Sequence, residues 1–494
     1  MSINNIVKRL QDVMRNDAGV NGDAQRIEQM VWILFLKVYD AKEENWEFHN
    51  ENFKSIIPEN LRWRNWAKDN KDGKVLTGES LLVFINTELF PSLKKLEVDE
   101  HTPMSKLIVK DSFVDSFNYM KDGILLRQVV NIIDEIDFNE YEDRHAFGEI
   151  YETILKDLQS AGNAGEFYTP RPLTEFMTLM INPKLGEKMA DFASGTGGFH
   201  TSFLKIIDKQ VKTVEDREIY NNSIFGVEKK ALPHLLCITN LLLHDIENPM
   251  ILHDNSLEKN VREYEEEDKF DIVMMNPPYG GNEKDSVKIN FPSELRSSET
   301  ADLFMILIMF RLAKNGRCAI ILPDGFLFGT DNAKSAIKQK LLTEFNLHTI
   351  IRLPKSVFSP YTSITTNLLF FDNTKKTKET WFYRMDMPEG YKNFSKTKSM
   401  KLEHFAPVME WWKNREEINI DGFDKARKFT AKQLIDNNYN LDLCGFPYFE
   451  EEVLEPKATI LNYQEKRTSL NDRIDKILSE ISTQLGIELC PQNN

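Results

Sequence analysis

Phe270-Asp271-Ile272-Val273-Met274-Met275 runs straight into Asn276-Pro277-Pro278-Tyr279. A short, β-prone apolar run that stops at Asn-Pro-Pro reads as a buried parallel strand with a rigid exit loop. The two prolines remove backbone donors and fix φ, so the loop holds its shape without a hydrogen-bonded ladder. It presents an amide side chain, outward carbonyls and an aromatic ring, and no strong nucleophile or acid. That set suits a planar substrate carrying an NH₂ group. Asn276 Oδ1 and the Pro277 carbonyl would each accept one hydrogen, Pro278 would brace the corner, and Tyr279 would cover the ring face.

Around this stretch, from about residue 161 to 372, short β runs alternate with helical stretches, the mark of a parallel α/β sheet. Strands are expected over 188–192, 223–228, 270–275, 317–322, 348–353 and 365–371. Residues 373–430 extend the same domain, with a further strand at Trp381-Phe382-Tyr383. Asp191-Phe192-Ala193-Ser194-Gly195-Thr196-Gly197-Gly198-Phe199 follows the first strand and precedes a helix starting near His200. Glycines there let the backbone approach a ligand in the crevice at the strands' carboxyl ends. A dinucleotide site would want a full GxGxxG and an acid about 20 residues on. Here the acid, Glu228, comes later, at the end of the second strand, where a carboxylate can accept both ribose hydroxyls of an adenosine. A compact loop without a pyrophosphate cradle points to S-adenosylmethionine rather than NAD. Asp191, Ser194, Gly195, Thr196, Gly197 and Glu228 are therefore cofactor candidates. Asp254, where a third strand would end, is a candidate acceptor for the exocyclic amine of the cofactor's adenine.

Upstream, Ala161-Gly162-Asn163-Ala164-Gly165 is a small, flexible junction and the expected domain boundary. Glu166-Phe167-Tyr168-Thr169-Pro170-Arg171 follows, with a proline suited to the first turn of the next helix. Beside a nucleoside pocket, Tyr168 and Thr169 would close over the cofactor's methionine end, so this whole hexapeptide joins the cofactor candidates. Asp302 and Phe304, at the start of a helix expected over 303–313, are candidates to line the cofactor or target pocket.

The chain has 494 residues, too long for one ordinary domain, with 41% hydrophobic and 28% charged residues, as in soluble globular proteins. No run of about eighteen apolar residues occurs, so no membrane span is expected. The N-terminus lacks a secretion pattern. Cys237, Cys318, Cys444 and Cys490 show no CxxC spacing, which argues against a metal knuckle or disulfide framework and fits a reducing cytoplasm. The net charge of −15 argues against a self-sufficient nucleic-acid binder, because phosphate contacts need clustered Lys and Arg.

Residues 1–160 read as a helical domain. Asp23 is an available N-cap for a long, largely apolar helix through Leu36. Ala146 to Leu158 puts Phe147, Ile150, Tyr151, Ile154, Leu155 and Leu158 on one face. No nuclease or ATPase signature occurs in it, and no GxxxxGK[ST] loop anywhere. The α/β domain is expected over 161–430 and a tail over 431–494. In that tail Leu470, Ile474, Ile477, Leu478, Ile481 and Leu485 fall at helical spacing. So narrow a stripe suits packing on another helix, from a partner or from this chain itself.

Taken together, Phe167-Tyr168-Thr169-Pro170, then Asp191 to Phe199, then Asn276-Pro-Pro-Tyr279 resembles the DNA amino-methyltransferases that modify adenine at N6. The motif order resembles their γ class. More closely, the chain is similar to the methylation (M) subunit of type I restriction-modification systems. The helical N-terminal domain, Gly316 to Gly325, Leu353 to Thr362 followed by Thr366-Asn367, and the terminal helix all fit that family. Phe192 departs from it, standing where the family usually has Pro.

The resemblance implies an S-adenosylmethionine-dependent, Rossmann-like methyltransferase sheet. It implies methyl transfer to N6 of an adenine flipped out of DNA, because N6 is unreachable in the stack. Two acceptors on the amino hydrogens would aim the nitrogen lone pair at the methyl group, by positioning and charge stabilisation, with no metal. It also implies a division of labour. A separate specificity (S) subunit chooses the sequence, typically with two M per S, the terminal helix docks on it, and a restriction (R) subunit would be a further partner. Rival readings are a solitary DNA methyltransferase, a methyltransferase of another planar amide or amine in protein or RNA, and a non-catalytic assembly subunit.

Overall fold

In the computed structural model Phe270–Met275 is a strand inside a ten-stranded sheet. The described residues are 4–68, 75–97, 104–138, 148, 151–156, 168–395, 397–447 and 456–485. Along the chain the strands are β1 (Met189–Asp191), β2 (Ile224–Val227), β3 (Ile251–Leu252), β4 (Phe270–Met275) and β5 (Leu312–Pro323). They continue with β6 (Asn346–Arg352), β7 (Thr366–Asp372), β8 (Glu379–Arg384), β9 (Ile418–Ile420) and β10 (Phe423–Thr430). The helices that support the site are α1 (Gly22–His49), α2 (Met104–Phe113), α3 (Arg171–Ile181), α4 (Gly198–Ile207), α5 (Ala231–Leu243), α6 (Thr300–Arg311) and α7 (Asn332–Glu344). The last helix, α8, spans Pro456–Leu485.

The strand order is β3-β2-β1-β4-β5-β7-β6-β8-β10-β9. From β3 to β5 all pairs are parallel. The chain leaves β1 towards β2 and β3, then returns to build β4 and β5 on β1's other side. The order therefore reverses between β1 and β4, and a crevice opens outside their carboxyl ends.

The expected all-parallel sheet is corrected to a mixed one. β7 inserts between β5 and β6 and runs antiparallel to both. β8 is parallel to β6, and β10 is antiparallel to β8 and β9. Nearly all of β7 is buried, so its residues form a continuous apolar run, and such a run carries no sign of strand direction.

Apolar side chains cover both faces of the sheet. One layer joins α3, α4 and α5 to the N-terminal helices through residues such as Phe176, Phe203 and Leu236. The other packs α6 and α7 through Leu303, Ile306, Ile337 and Leu341. Residues 4–138 hold no strand among the described residues. Most of α1 from Ile27 to Glu43 is buried: its apolar run Met30–Leu36 takes in every side of the helix, and Gln29, Lys37, Asp40, Lys42 and Glu43 are buried with it. It lies along α5, and Lys42 Nζ meets Asp245 Oδ1 at 2.5 Å. The expected cap moves: Asn21 is the N-cap residue of α1, and Asp23 lies in its first turn.

The expected junction 161–165 lies outside the described residues. So does the helix expected over 146–158, apart from residue 148 and the helical turn 151–156, where Tyr151, Ile154 and Leu155 are buried. Residues 1–445 form one compact unit and 446–494 a second. Within the second, Ile460, Leu470, Ile474, Ile477, Leu478 and Ile481 of α8 are each 45–59% exposed.

Candidate active site

The crevice between β1 and β4 holds a cleft of about 850 Å³, mouth included. Asn276 enters it directly from the end of β4 and is half-buried. Pro277 behind it is buried, Pro278 is exposed, and Tyr279 is half-buried. The Asn276 amide is held from two sides. Its Nδ2 donates to Thr169 Oγ1 at 3.1 Å, and the Tyr279 hydroxyl donates to its Oδ1. The amide orientation is therefore set, and Oδ1 already serves as an acceptor. Burial, with Tyr361 nearby, holds the Tyr279 hydroxyl well above its ordinary range, so it stays a donor. The Tyr279 ring meets Phe358 edge-on at 6.2 Å between centroids.

The glycine turn forms the opposite wall. Gly195 and Gly197 have φ of +52° and +76°, in the left-handed region where a side chain is strained. Gly197 is the N-cap residue of α4. Ser194 N–H donates to Val227 O at 3.0 Å, tying the turn to β2. Glu228, at the exit of β2, accepts from Gly195 N–H at 2.9 Å through one carboxylate oxygen and from Lys230 N–H at 2.8 Å through the other. Asp191 is almost wholly buried and accepts from Ala193 N–H at 3.0 Å. Burial, together with the Glu228 charge, pushes its carboxyl up to about 8.

Arg171 opens α3 and lies against the turn. Its Nε donates to Glu152 Oε2 at 2.5 Å and its Nη2 to Thr196 Oγ1 at 3.2 Å, while Nη1 is buried without a hydrogen-bond partner. Glu152 Oε1 also accepts from Asn240 Nδ2 at 3.3 Å, and that amide reaches Thr196 O at 3.1 Å. A Cβ on Gly198 would stand 1.9 Å from Arg171 Nη1, so only glycine lets the guanidinium lie against the turn.

The cleft gathers many of the residues expected from sequence. Thr169, Arg171, Asp191, Ser194, Gly195 and Thr196 line it, and so do Glu228, Asp254, Asn276, Pro278 and Phe304. Tyr168, Pro170, Gly197, Pro277 and Tyr279 are not among its lining residues. Tyr168 is buried with its ring 5.1 Å from the Arg171 guanidinium, and it faces a second hollow shared with Pro170. Glu166 and Phe167 lie outside the described residues. Asp302, expected in a pocket, is instead fully buried against Lys334 at 2.8 Å. Phe192 lines the cleft, with the Arg311 guanidinium 5.0 Å from its ring centroid.

Sequence reasoning passed over Lys229, Asn255, Ser256, Glu283 and Thr300, which also line the cleft. They sit on loops or a helix start whose sequences carry no motif. Only their closeness in sequence to Glu228, Asp254 and the Asn276 corner hinted at them.

This arrangement sets an oriented amide acceptor beside a pocket with buried carboxylates and a guanidinium nitrogen free to pair. Residues 142–453 match the family model N-6 DNA Methylase, and residues 3–133 match the HsdM N-terminal domain. The chain is 49% identical to the methylase subunit of the type I restriction enzyme EcoEI of Escherichia coli, over 96% of each chain. It is 40% identical to a modification subunit assigned to a type I restriction enzyme of Vibrio vulnificus. That crystal structure superposes with a TM-score of 0.75 over 87% of this chain and 92% of the other. A second solved structure, from work on complex assembly and conformational transition in a type I R-M system, is 31% identical. It superposes with a TM-score of 0.80 over 98% of both chains. The chain belongs to the N-6 DNA methylase family, among the methylase subunits of type I restriction enzymes.

Proposed function

We propose that the cleft binds S-adenosylmethionine and that the Asn276–Tyr279 corner presents the N6 amino group of a flipped-out adenine of DNA to it. The observation that carries this reading is the convergence of Asn276, Thr169, the glycine turn, Glu228 and Asp254 on one cleft at the sheet's switch point. The residues suit the cofactor. Glu228 is a carboxylate lining the cleft, of the kind that accepts ribose hydroxyls, Asp254 at the rim can accept from an adenine amine, and Arg171 Nη1 is a buried donor ready for a carboxylate. When bound, the cofactor supplies an electrophilic methyl group.

The chain's own work is positional. Thr169 fixes the Asn276 amide with Oδ1 as acceptor, and the Pro277 carbonyl offers a second acceptor at the same corner. An arriving amino group takes the place of the Tyr279 hydroxyl on Oδ1. The displaced ring then lies against the base and offsets part of the few kcal/mol lost on unstacking. Two acceptors on the amino hydrogens draw the nitrogen towards a tetrahedral shape with its lone pair aimed across the cleft. Tyr279→Phe keeps the ring and loses only the placeholder hydrogen bond, so turnover should fall less than about tenfold. Tyr279→Ala should fall further, and equal losses in single-turnover assays would remove the stacking role.

Sequence choice is assigned to a specificity subunit, with two copies of this chain per specificity subunit and a restriction subunit as a further partner. The acidic balance of −15 supports this, because such a chain holds DNA poorly by itself. The isolated chain should bind DNA weakly and with steep salt dependence, and tight sequence-specific binding in gel-shift assays would contradict the assignment. The exposed stripe of α8 is the proposed docking element. Ile474→Asp with Ile477→Asp should abolish co-purification with the specificity subunit and leave cofactor affinity unchanged. The decisive test of the whole reading is N6-methyladenine in DNA treated with the assembled complex and S-adenosylmethionine, with the Asn276→Ala complex as control.

A further inference from the structure

Lysine is almost never fully buried unless it is paired. The inward face of α7 buries two, Lys334 and Lys338, one helical turn apart. Each amine reaches the segment that leaves a different strand. Lys338 Nζ donates to Leu327 O at 3.1 Å and Gly329 O at 2.6 Å, beyond the end of β5. Lys334 Nζ serves the segment beyond β4. It lies 2.8 Å from Asp302 Oδ2, 2.9 Å from Glu299 Oε1 and 3.7 Å from Asp331 Oδ2.

Two of those carboxylates, Glu299 and Asp302, belong to the segment that pairs with the residues just after the corner. Asp302 is completely buried, accepts from Ser297 Oγ at 2.6 Å, and leaves Oδ1 without a partner. Ser297 Oγ in turn accepts from Glu299 N–H at 3.1 Å. Glu299 forms an antiparallel bridge with Asn282, and Thr300 N–H donates to Gly281 O at 3.0 Å. Gly281 and Asn282 follow Asn276-Pro277-Pro278-Tyr279 almost immediately. The corner is thus held at its start by β4 and at its far end by a short ladder to residues 299–300, which Lys334 clamps to α7.

We propose that Lys334 is a positioning residue for methyl transfer: through Glu299 and Asp302 it fixes the far end of the loop that aims Asn276. The proposal rests on the reading of that corner as the element presenting the amino group. Thr300 and Glu283 of the cleft adjoin this clamp, but the glycine turn, Glu228 and Asp254 follow β1, β2 and β3 and do not depend on it. Phe304 sits on α6, whose Leu303, Met305, Ile306, Leu307 and Ile308 are all buried and hold the helix by themselves. Loss of the clamp therefore loosens the corner and spares the nucleoside pocket.

The test uses Lys334→Met and the double variant Lys334→Met/Asp302→Asn, each in the complex with the specificity subunit. The single variant strands a buried carboxylate, which costs stability and can prevent folding. The double variant removes that charge, keeps the Ser297 contact, and still lacks the tie to Glu299. In each variant that folds, kcat at saturating DNA and cofactor should fall about tenfold or more, with S-adenosylhomocysteine affinity by calorimetry within about threefold of wild type. Recovery of kcat in the double variant along with its melting temperature would reduce Lys334 to a stabilising role and overturn the proposal. So would an unchanged kcat in the single variant, or parallel loss of kcat and cofactor affinity. Asn276→Ala run alongside separates the two readings: if it methylates normally the corner assignment fails, whatever Lys334 does.

Discussion

Asn276→Ala will lower the maximal rate of adenine methylation by at least about a hundredfold while S-adenosylmethionine still binds. The size follows from what the side chain supplies. An adenine amine is a poor nucleophile because its lone pair is delocalised into the ring, and in the proposed reading Oδ1 is the side-chain acceptor at the corner that would draw a hydrogen out of that plane. Removing one preorganised hydrogen-bonding group that acts on charge developing in a transition state costs about 2.7–4 kcal/mol, or 10²–10³ in kcat. Cofactor affinity should survive because the amide's own bonds run to Thr169 and Tyr279, away from Glu228 and the glycine turn. Asn276→Asp is a sharper variant. Its carboxylate keeps an acceptor for Tyr279 and cannot donate to Thr169 Oγ1, so the rate should fall less than for alanine. Near-normal single-turnover rates in Asn276→Ala would take the residue out of the mechanism.

The corner and the glycine turn were legible in the sequence because the residues that shape them act locally. Pro277 and Pro278 restrict φ wherever they occur, and Gly195 and Gly197 permit the positive φ the turn adopts. The buried strands were legible for the same kind of reason, as uninterrupted apolar runs. The β9–β10 hairpin was not: Phe423–Thr430 is rich in charge, and only Ala426 among its residues is buried, so no apolar alternation marks it. Nor did anything in the sequence point to Thr169 as the partner of Asn276, since 107 residues separate them and only the closed sheet brings them together. Asp302 shows the same limit from the other side. An acid at a helix start beside a motif reads as a ligand, and whether it faces the cleft or Lys334 is decided by the packing of α6 on α7. In this member of the N-6 DNA methylase family, the residues proposed for the chemistry lie in local motifs, and their aim depends on long-range contacts.

Glu228→Ala will weaken cofactor binding by about a hundredfold or more, and Glu228→Gln will come close to it. A carboxylate accepting two ribose hydroxyls contributes charge-assisted hydrogen bonds of about 1.5–3 kcal/mol each, and about 1.4 kcal/mol is a factor of ten in affinity. Alanine also releases Gly195 N–H, which donates to Oε2 at 2.9 Å and helps hold the turn that faces the ligand. Glutamine, the usual conservative replacement, meets a local conflict. Both carboxylate oxygens accept from backbone N–H groups, Gly195 on one side and Lys230 at 2.8 Å on the other. An amide must set its NH₂ against one of those donors in either flip, leaving a donor facing a donor and only one oxygen for the ribose. The check is calorimetric titration of the wild type and both variants with S-adenosylhomocysteine. Affinity within threefold of wild type in Glu228→Ala would remove the ribose assignment. A glutamine variant that binds normally while alanine fails would instead show that one acceptor oxygen suffices, and that the backbone around residue 230 yields to make room.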